Sequence, residues 1–367
     1  MTKKINIFLL VIICLFTAFS FAVTAENEQS YYPAEELMCI SYRGDTTLYE
    51  QNSAEAVLSA FSKGADFVSV NVRKTPNGDL VLCDENATEV SGVSLKEMLS
   101  SLDGNQTLIL DFDKVLKDEI YDLLKNENAF DKAWLRIKDS AKEINTWLED
   151  KDGVNVIGVT SSFNIFPIRA FVKKLSHLPA VQLQSKNYFN VMYGSWCYSL
   201  YSSRVGTRAV APMYDPDLCG QRSDSQDGWN NLIKKGFSII ETNNIEALTE
   251  YKKQGIKLKD NLAVILEKAK SINPESYSLV SRENLAEGIE SAQYLLNSSL
   301  VSNDELQSAA SVLQRAINNM TLSDGEDTQK GALNVTAGKI IAAVLVGTAI
   351  LAAQIYTYKM QKRKKVN

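Results

Sequence analysis

The chain has 367 residues, of which 45% are apolar, enough for a large buried core and more than one domain. Its formal net charge is −5, and because both ends of the chain are basic, the stretch between Glu26 and Tyr358 is more acidic than the whole. An acidic surface repels a phosphate backbone, so the charge argues against nucleic acid as a partner.

Residues 1–25 have the pattern of a secretory signal peptide. Lys3 and Lys4 form a charged start, an apolar run from Ile5 to Val23 follows, and small residues lead to Ala25. We expect cleavage after Ala25. The alternative is an uncleaved membrane anchor, because the apolar run is long for the core of a signal peptide.

Between residues 36 and 256, eight short apolar runs alternate with stretches of helical periodicity. The predicted strands are Met38–Ser41, Phe67–Val72, Thr107–Phe112, Ala133–Lys138, Val154–Thr160, Ala180–Leu183, Thr207–Pro212 and Phe237–Glu241. The predicted helices are Ser53–Lys63, Val115–Asn126, Ser140–Glu149, Phe163–Leu175 and Trp229–Lys235. This alternation predicts an α/β fold in which eight parallel strands and crossover helices close a (β/α)₈ TIM-barrel-like structure. An open doubly wound sheet is the alternative.

Residues 257–322 show helical periodicity only. Three amphipathic stretches, Asn261–Ser271, Ser281–Asn297 and Ser302–Asn319, predict a small three-helix bundle. Residues 323–339 are polar and contain glycine, which is typical of a linker.

The apolar segment Ile340 to Tyr358 has the composition and length of a transmembrane helix. Residues 359–367 form a basic tail, which the positive-inside rule assigns to the cytoplasm. We therefore expect a lipid membrane as a partner through Ile340 to Tyr358, a single pass, and extracellular main domains.

The cysteines that remain after signal cleavage are Cys39, Cys83, Cys197 and Cys219. An extracellular location permits disulfides, and four cysteines allow three pairings, among which the sequence does not choose. Four free, buried thiols are the alternative.

Several motifs within Met38 to Glu246 occur in the order and spacing of one enzyme family. They are Ser41-Tyr42-Arg43-Gly44, Glu50-Gln51-Asn52-Ser53, Gly64-Ala65-Asp66 before a strand, Thr75-Pro76-Asn77-Gly78-Asp79 before Val81, Ser162-Phe163-Asn164, and Lys235-Gly236-Phe237 to Asn243. This stretch resembles the glycerophosphodiester phosphodiesterases. The resemblance implies a TIM-barrel-like phosphodiesterase fold and a site at the strand ends.

The resemblance also identifies what the chain has lost. The family uses two histidines as general acid and base, and Tyr42 and Cys83 stand at their positions. The family holds a divalent cation with carboxylates, and Ser69 and Asn71 replace two of them, whereas Asp111, or alternatively Asp113, matches the third. We therefore expect neither catalysis nor, unless the site is rebuilt, a Ca²⁺ or Mg²⁺ cofactor.

Three family residues at the same site are retained. Arg43 could bind an anion with two hydrogen bonds, and Asn52 and Asp84 either bind the ligand or hold the rim of the barrel together. The single histidine, His177, lies at a predicted helix-to-strand turn, on the barrel face opposite the site.

The apolar spacing of Leu262 to Ile317 resembles the FIVAR module of bacterial surface proteins, which implies a spacer between barrel and membrane.

Three hypotheses for function remain open. The first is a catalytically degenerate barrel that binds an anionic small molecule or a cell-envelope component. The second is an active phosphodiester hydrolase with a rebuilt metal site made from Asp84, Asp111, Asp113 or Glu241. The third is a structural surface protein in which Tyr42 and its neighbours fill the pocket.

Overall fold

The computed structural model describes residues 36–160, 165–183, 208–211 and 224–322. Within these ranges the chain forms two compact units. One contains residues 36–261 together with 295–307, and the other contains residues 262–294 and 308–322. The first unit carries all the strands of the described sheet and the candidate site.

A closed ring of parallel strands forms the centre of the first unit. The strands of its sheet are β1 (Met38–Tyr42), β2 (Phe67–Lys74), β3 (Leu80–Leu82), β4 (Thr107–Phe112), β5 (Ala133–Ile137), β6 (Asn155–Thr160), β7 (Ala180–Leu183), β8 (Arg208–Ala211) and β9 (Ile239–Thr242). All except β3 pair in parallel, and β1 pairs with both β2 and β9. The predicted eight-stranded barrel is therefore confirmed, and the open doubly wound sheet is excluded.

The apolar residues of the strands pack in two layers because neighbouring residues of a strand face opposite sides. Ile40, Phe67, Ile109, Trp134, Ile157, Ala180 and Ile239 form one cluster. These residues come from seven strands around the ring and fill its interior, where the Phe67 and Trp134 rings lie 4.6 Å apart. The intervening strand residues, Cys39 and Leu108 among them, join a larger cluster with the surrounding helices.

The helices that cover the barrel begin where the sequence provides capping residues. They are α1 (Ala54–Ser62), α2 (Leu95–Ser101), α3 (Lys117–Asn126), α4 (Ala141–Leu148), α5 (Ile165–Lys174) and α6 (Gln226–Lys234). Ser53 caps α1 by accepting a hydrogen bond from the Ala56 amide. Ser140 and Glu143 form a reciprocal capping box at the start of α4. The five helices predicted in this region are confirmed, whereas β3 and α2 were not predicted.

The helical region consists of α7 (Ile245–Lys270), α8 (Leu279–Asn297) and α9 (Asn303–Asn318), which confirms the three predicted helices. One difference is that α7 begins at Ile245, so a single helix runs through the predicted boundary at residue 256. In the second unit, a Cβ on Gly288 would lie 2.9 Å from Leu313 Cδ1, so α8 and α9 are in close contact. The turn between α8 and α9 belongs to the first unit, where Asn303 Nδ2 donates to the Tyr251 carbonyl at 2.9 Å.

Several predictions concern residues outside the described ranges. These are the signal peptide, the linker from residue 323, the span Ile340 to Tyr358, the basic tail, and Cys197 and Cys219. No helix in the described part of the chain has both the length and the apolar content to cross a bilayer. Cys39 and Cys83 are described, and both are free, buried thiols, which agrees with the alternative to a disulfide.

Candidate functional site at the barrel mouth

A layer of polar residues lies next to the apolar interior of the barrel, toward the carboxyl ends of the strands. Residues two apart in a strand face the same side, so each residue two positions after a member of the interior cluster also faces inward. These residues are Tyr42, Ser69, Asp111, Arg136, Val159, Gln182 and Glu241. All but Val159 are polar. Parallel barrels bind their ligands at this end, so we take the layer as the floor of the candidate site.

Arg136 of β5 is the central charge of this polar layer. Its Nη1 donates to Asp111 Oδ2 at 2.7 Å and its Nη2 donates to Glu241 Oε1 at 2.8 Å. The Arg136 side chain is 1% exposed, Glu241 is fully buried, and Asp111 is 16% exposed. One guanidinium therefore joins two carboxylates that come from β4 and β9.

Burial changes the acidity of Glu241. Removal from water raises the pKa of its carboxyl, Arg136 opposes that rise, and the negative charge of Asp111 adds to it. A hydrogen bond with Ser69 acts in the same direction as Arg136, and the net direction of the pKa is upward. Glu241 therefore binds a proton more readily than an exposed glutamate does.

The residues present do not fit the divalent cation that the resemblance implies. Ser69 and Asn71 supply neutral oxygens at two of the family's carboxylate positions, and the carboxylates of Asp111 and Glu241 are paired with Arg136. In the described ranges, no three His, Cys, Asp or Glu side chains form a group able to hold a metal ion. A hard cation prefers several anionic oxygens, and here a positive guanidinium already lies between the two carboxylates.

Tyr42 and Cys83, at the positions of the family histidines, do not reproduce imidazole chemistry. Burial raises the pKa of the Tyr42 phenol, and the nearby Arg43 lowers it less than burial raises it, so the phenol keeps its proton at neutral pH. The buried Cys83 thiol lies 3.8 Å from the Glu89 carbonyl oxygen. The Cys83 amide donates to the Asn71 carbonyl, which ties the chain after β3 to β2.

Arg43 lies at the end of β1 and is surrounded by polar partners. Its Nη1 donates to Asp84 Oδ2 at 2.5 Å and to Gln51 Oε1 at 3.2 Å, and Gln51 also donates to Asp84. Its Nη2 lies 3.2 Å from Glu85, whose side chain is 60% exposed, and its guanidinium lies 4.6 Å from the centre of the Tyr42 ring. The Arg43 side chain itself is 6% exposed, and its Nε has no hydrogen-bond partner.

The backbone around Arg43 is held in an unusual conformation. Arg43 and Asn52 both have positive φ angles, 58° and 62°, and the Asn52 amide donates to the Arg43 carbonyl at 3.0 Å. Gly44 follows with φ 89°, and a Cβ there would lie 2.6 Å from the Ala56 backbone carbon. Asn52 Oδ1 accepts from the Asn71 amide at 2.8 Å, whereas the buried Asn52 Nδ2 has no partner. The structure thus brings Arg43, Asn52 and Asp84 together at one place.

One other candidate acid, Asp113, and the histidine lie apart from this cluster. Asp113 is exposed and caps the turn Lys114–Leu116 by accepting from the Val115 amide. His177 is exposed between α5 and β7, on the opposite face of the barrel, as predicted.

Sequence reasoning identified Glu241 as a candidate but missed Arg136. A single arginine inside an apolar strand is the only signal that could have indicated it.

Comparisons with known proteins give the following similarities. No family model and no curated protein sequence matches the chain. A glycerophosphoryl diester phosphodiesterase from Parabacteroides distasonis is 14% identical, with 61% of this chain and 89% of that chain covered and a TM-score of 0.49. A glycerophosphodiester phosphodiesterase from Thermotoga maritima is 16% identical, with coverages of 58% and 97% and a TM-score of 0.43.

A glycerophosphoryl diester phosphodiesterase domain from Mycobacterium tuberculosis is 14% identical, with coverages of 59% and 99% and a TM-score of 0.42. The barrel is assigned from the strand pairing of the chain itself.

Proposed function

We propose that this chain is a membrane-anchored, extracellular protein with a glycerophosphodiester phosphodiesterase-like barrel that binds an anionic ligand of the cell envelope without hydrolysing it. The main support is the pairing of Arg136 with Asp111 and Glu241 in the polar layer. It puts a fixed positive side chain among the oxygens where a hydrolase of the resembling family would need a metal. The protonated phenol of Tyr42 and the absence of a neighbouring imidazole support the same conclusion.

Two unpartnered donors, one on Arg43 and one on Asn52, support an anion as the ligand. Arg43 Nε and Asn52 Nδ2 are both buried N–H groups without acceptors, on residues that are themselves joined by a backbone hydrogen bond. A buried donor without an acceptor is costly, and a ligand oxygen would relieve that cost. Glu85 is exposed and can leave Nη2, which would open a further donor, while Asp84 continues to orient the guanidinium.

Our first prediction concerns turnover. The purified full chain should not hydrolyse glycerophosphodiesters with Ca²⁺, Mg²⁺ or Mn²⁺ present, because the acid–base pair and the anionic cage for a metal are missing. Release of glycerol 3-phosphate, followed by a coupled assay, is the measurement. Metal-dependent turnover that disappears in D111N would reject the proposal and favour a hydrolase with a rebuilt metal site.

Our second prediction concerns binding. Glycerol 3-phosphate, used as a probe anion in titration calorimetry, should bind wild type, and R43K should bind it about tenfold more weakly, because lysine lacks the Nε donor and the planar fork. R315K, in the second unit, is the matched control and should bind as wild type does. Equal affinity of R43K and wild type, or no binding at all, would contradict the assignment of Arg43.

The location and the helical region complete the proposal. The signal-peptide pattern, the apolar segment Ile340 to Tyr358 and its basic tail support export with a C-terminal anchor. The FIVAR-like helices that precede this segment are proposed as a spacer between the barrel and the membrane.

A further inference from the structure

We infer that the guanidinium of Arg136 is a built-in cation that fills a divalent-cation site formed by the oxygens of Asp111, Glu241, Asn71 and Ser69. The inference goes beyond the proposed function, because it concerns what occupies the floor of the barrel rather than what binds at Arg43. It arises from the misfit between the cation that the resemblance implies and the side chain found in the polar layer.

The geometry supplies hard oxygen ligands from three strands. Asp111 and Glu241 converge on one guanidinium at 2.7 and 2.8 Å from its two terminal nitrogens. Asn71 pairs directly with Asp111 across β2 and β4, and its buried Oδ1 has no hydrogen-bond partner. Ser69 precedes Asn71 by two residues on the same face and is fully buried. The unpartnered amide oxygen is independent of the ion pairs and is a ligand type that Ca²⁺ and Mg²⁺ accept.

The charges explain why a cation is needed at this place. A buried Glu241 carboxylate beside the partly buried Asp111 carboxylate would be destabilising without a positive partner, whereas one planar guanidinium can donate to both. Arg136 carries one positive charge against two carboxyl groups, so removing the guanidinium would leave two carboxyl groups whose combined charge, when both are ionised, matches a divalent ion. Since the arginine comes from the chain itself, the barrel needs no metal from solution.

The test replaces Arg136 with a neutral residue in the full chain and measures thermal unfolding. In EDTA, R136Q should melt about 10 °C below wild type, because two carboxylates lose their partner. Millimolar CaCl₂ or MgCl₂ should restore at least half of that loss, since an ion that binds only the folded state raises its stability. Wild type should melt at the same temperature in EDTA and in either salt.

Matched variants show where the ion binds. R136Q/E241Q and R136Q/N71L should lose the rise in melting temperature that calcium gives R136Q, and R315Q should behave as wild type. If R136Q does not fold in EDTA, refolding with CaCl₂ present should recover it. Failure to recover, or an R136Q melting temperature unaffected by calcium and magnesium, would overturn the inference. A calcium-dependent rise in wild type that E241Q abolishes would also overturn it, because the metal would then bind beside Arg136.

These outcomes are separate from those that test the proposed function. Turnover by wild type in EDTA would reject the non-hydrolytic proposal. It would not affect the inference that the Arg136 guanidinium occupies the cation site. A melting temperature of R136Q that does not change with calcium or magnesium would reject the inference about Arg136. It would not affect the proposal that Arg43 binds an anion.

Discussion

At the scale of single residues, Asp45 shows how the loop that carries Arg43 is fixed. Its buried carboxylate lies 2.8 Å from Lys63 Nζ and accepts hydrogen bonds from Ser59 and Thr47. Burial by itself would raise the pKa of Asp45, but the hydrogen bonds from Lys63, Thr47 and Ser59 outweigh it and lower the pKa to about 2. The interaction joins the chain after β1 to the end of α1, so the loop that carries Arg43 is tied to that helix.

Asp45 therefore predicts a pH dependence of stability. Its pKa is 3.8 when unperturbed and about 2 in the folded protein, so the unfolded chain takes up the proton first as pH falls. The contribution is complete above the unfolded pKa and is lost toward pH 2. We expect the stability of wild type to fall by about 2 kcal/mol more than that of D45N between about pH 5 and pH 2, in urea unfolding. D79N, at an exposed site, should follow wild type, and parallel curves for D45N and wild type would contradict this role.

The residues of the site were predictable in part, and the reason is physical. The motifs at the strand ends include Arg43, Asn52 and Asp84. The sequence could therefore predict that these three side chains lie near one another at the carboxyl ends of the barrel strands. The partners of Arg136 are 25 and 105 residues away, and no local pattern relates the three side chains. A buried arginine needs a counter-charge, but burial alone does not indicate which acid supplies it.

At the scale of elements, the eight barrel strands could be predicted from runs of apolar residues, because strands buried on both faces carry an uninterrupted apolar signal. The strand β3 has three residues and α2 has seven, which is too short for either periodicity to stand out. The start of α7 was also missed. A helix continues there because residues 245–270 contain no proline, and their single glycine, Gly255, does not end it.

The capping box of α4 gives a prediction at this scale. Ser140 Oγ accepts from the Glu143 amide at 3.2 Å, and Glu143 accepts from the Ser140 amide at 3.0 Å. S140A should lower the free energy of unfolding by about 1 kcal/mol, because an N-terminal amide loses its partner. S100A, on the exposed side of α2, is the control and should change stability by less than about 0.5 kcal/mol. Equal stability of both variants in urea titrations would show that the box adds nothing.

At the scale of the whole molecule, the arrangement of segments predicts a location. Deleting residues 340–367 should release the protein from the membrane fraction into the medium, because the apolar segment and basic tail would be lost. Replacing only the basic residues of 359–367 by serine should leave the protein attached, since the apolar span remains. Fractionation followed by immunoblotting measures both. A truncated chain that stays with the membranes would show that the C-terminal segment is not the sole anchor, as expected if the N-terminal apolar run is not cleaved.

The pairing of β1 with β9 has a consequence for how the protein is made. About two hundred residues separate these partners, so the earliest part of the barrel to leave the ribosome is the last to gain its second neighbour. Until β9 arrives, β1 presents an unsatisfied edge that could pair with another chain. A chaperone that covers this edge would therefore lower the risk of aggregation while the barrel is still incomplete.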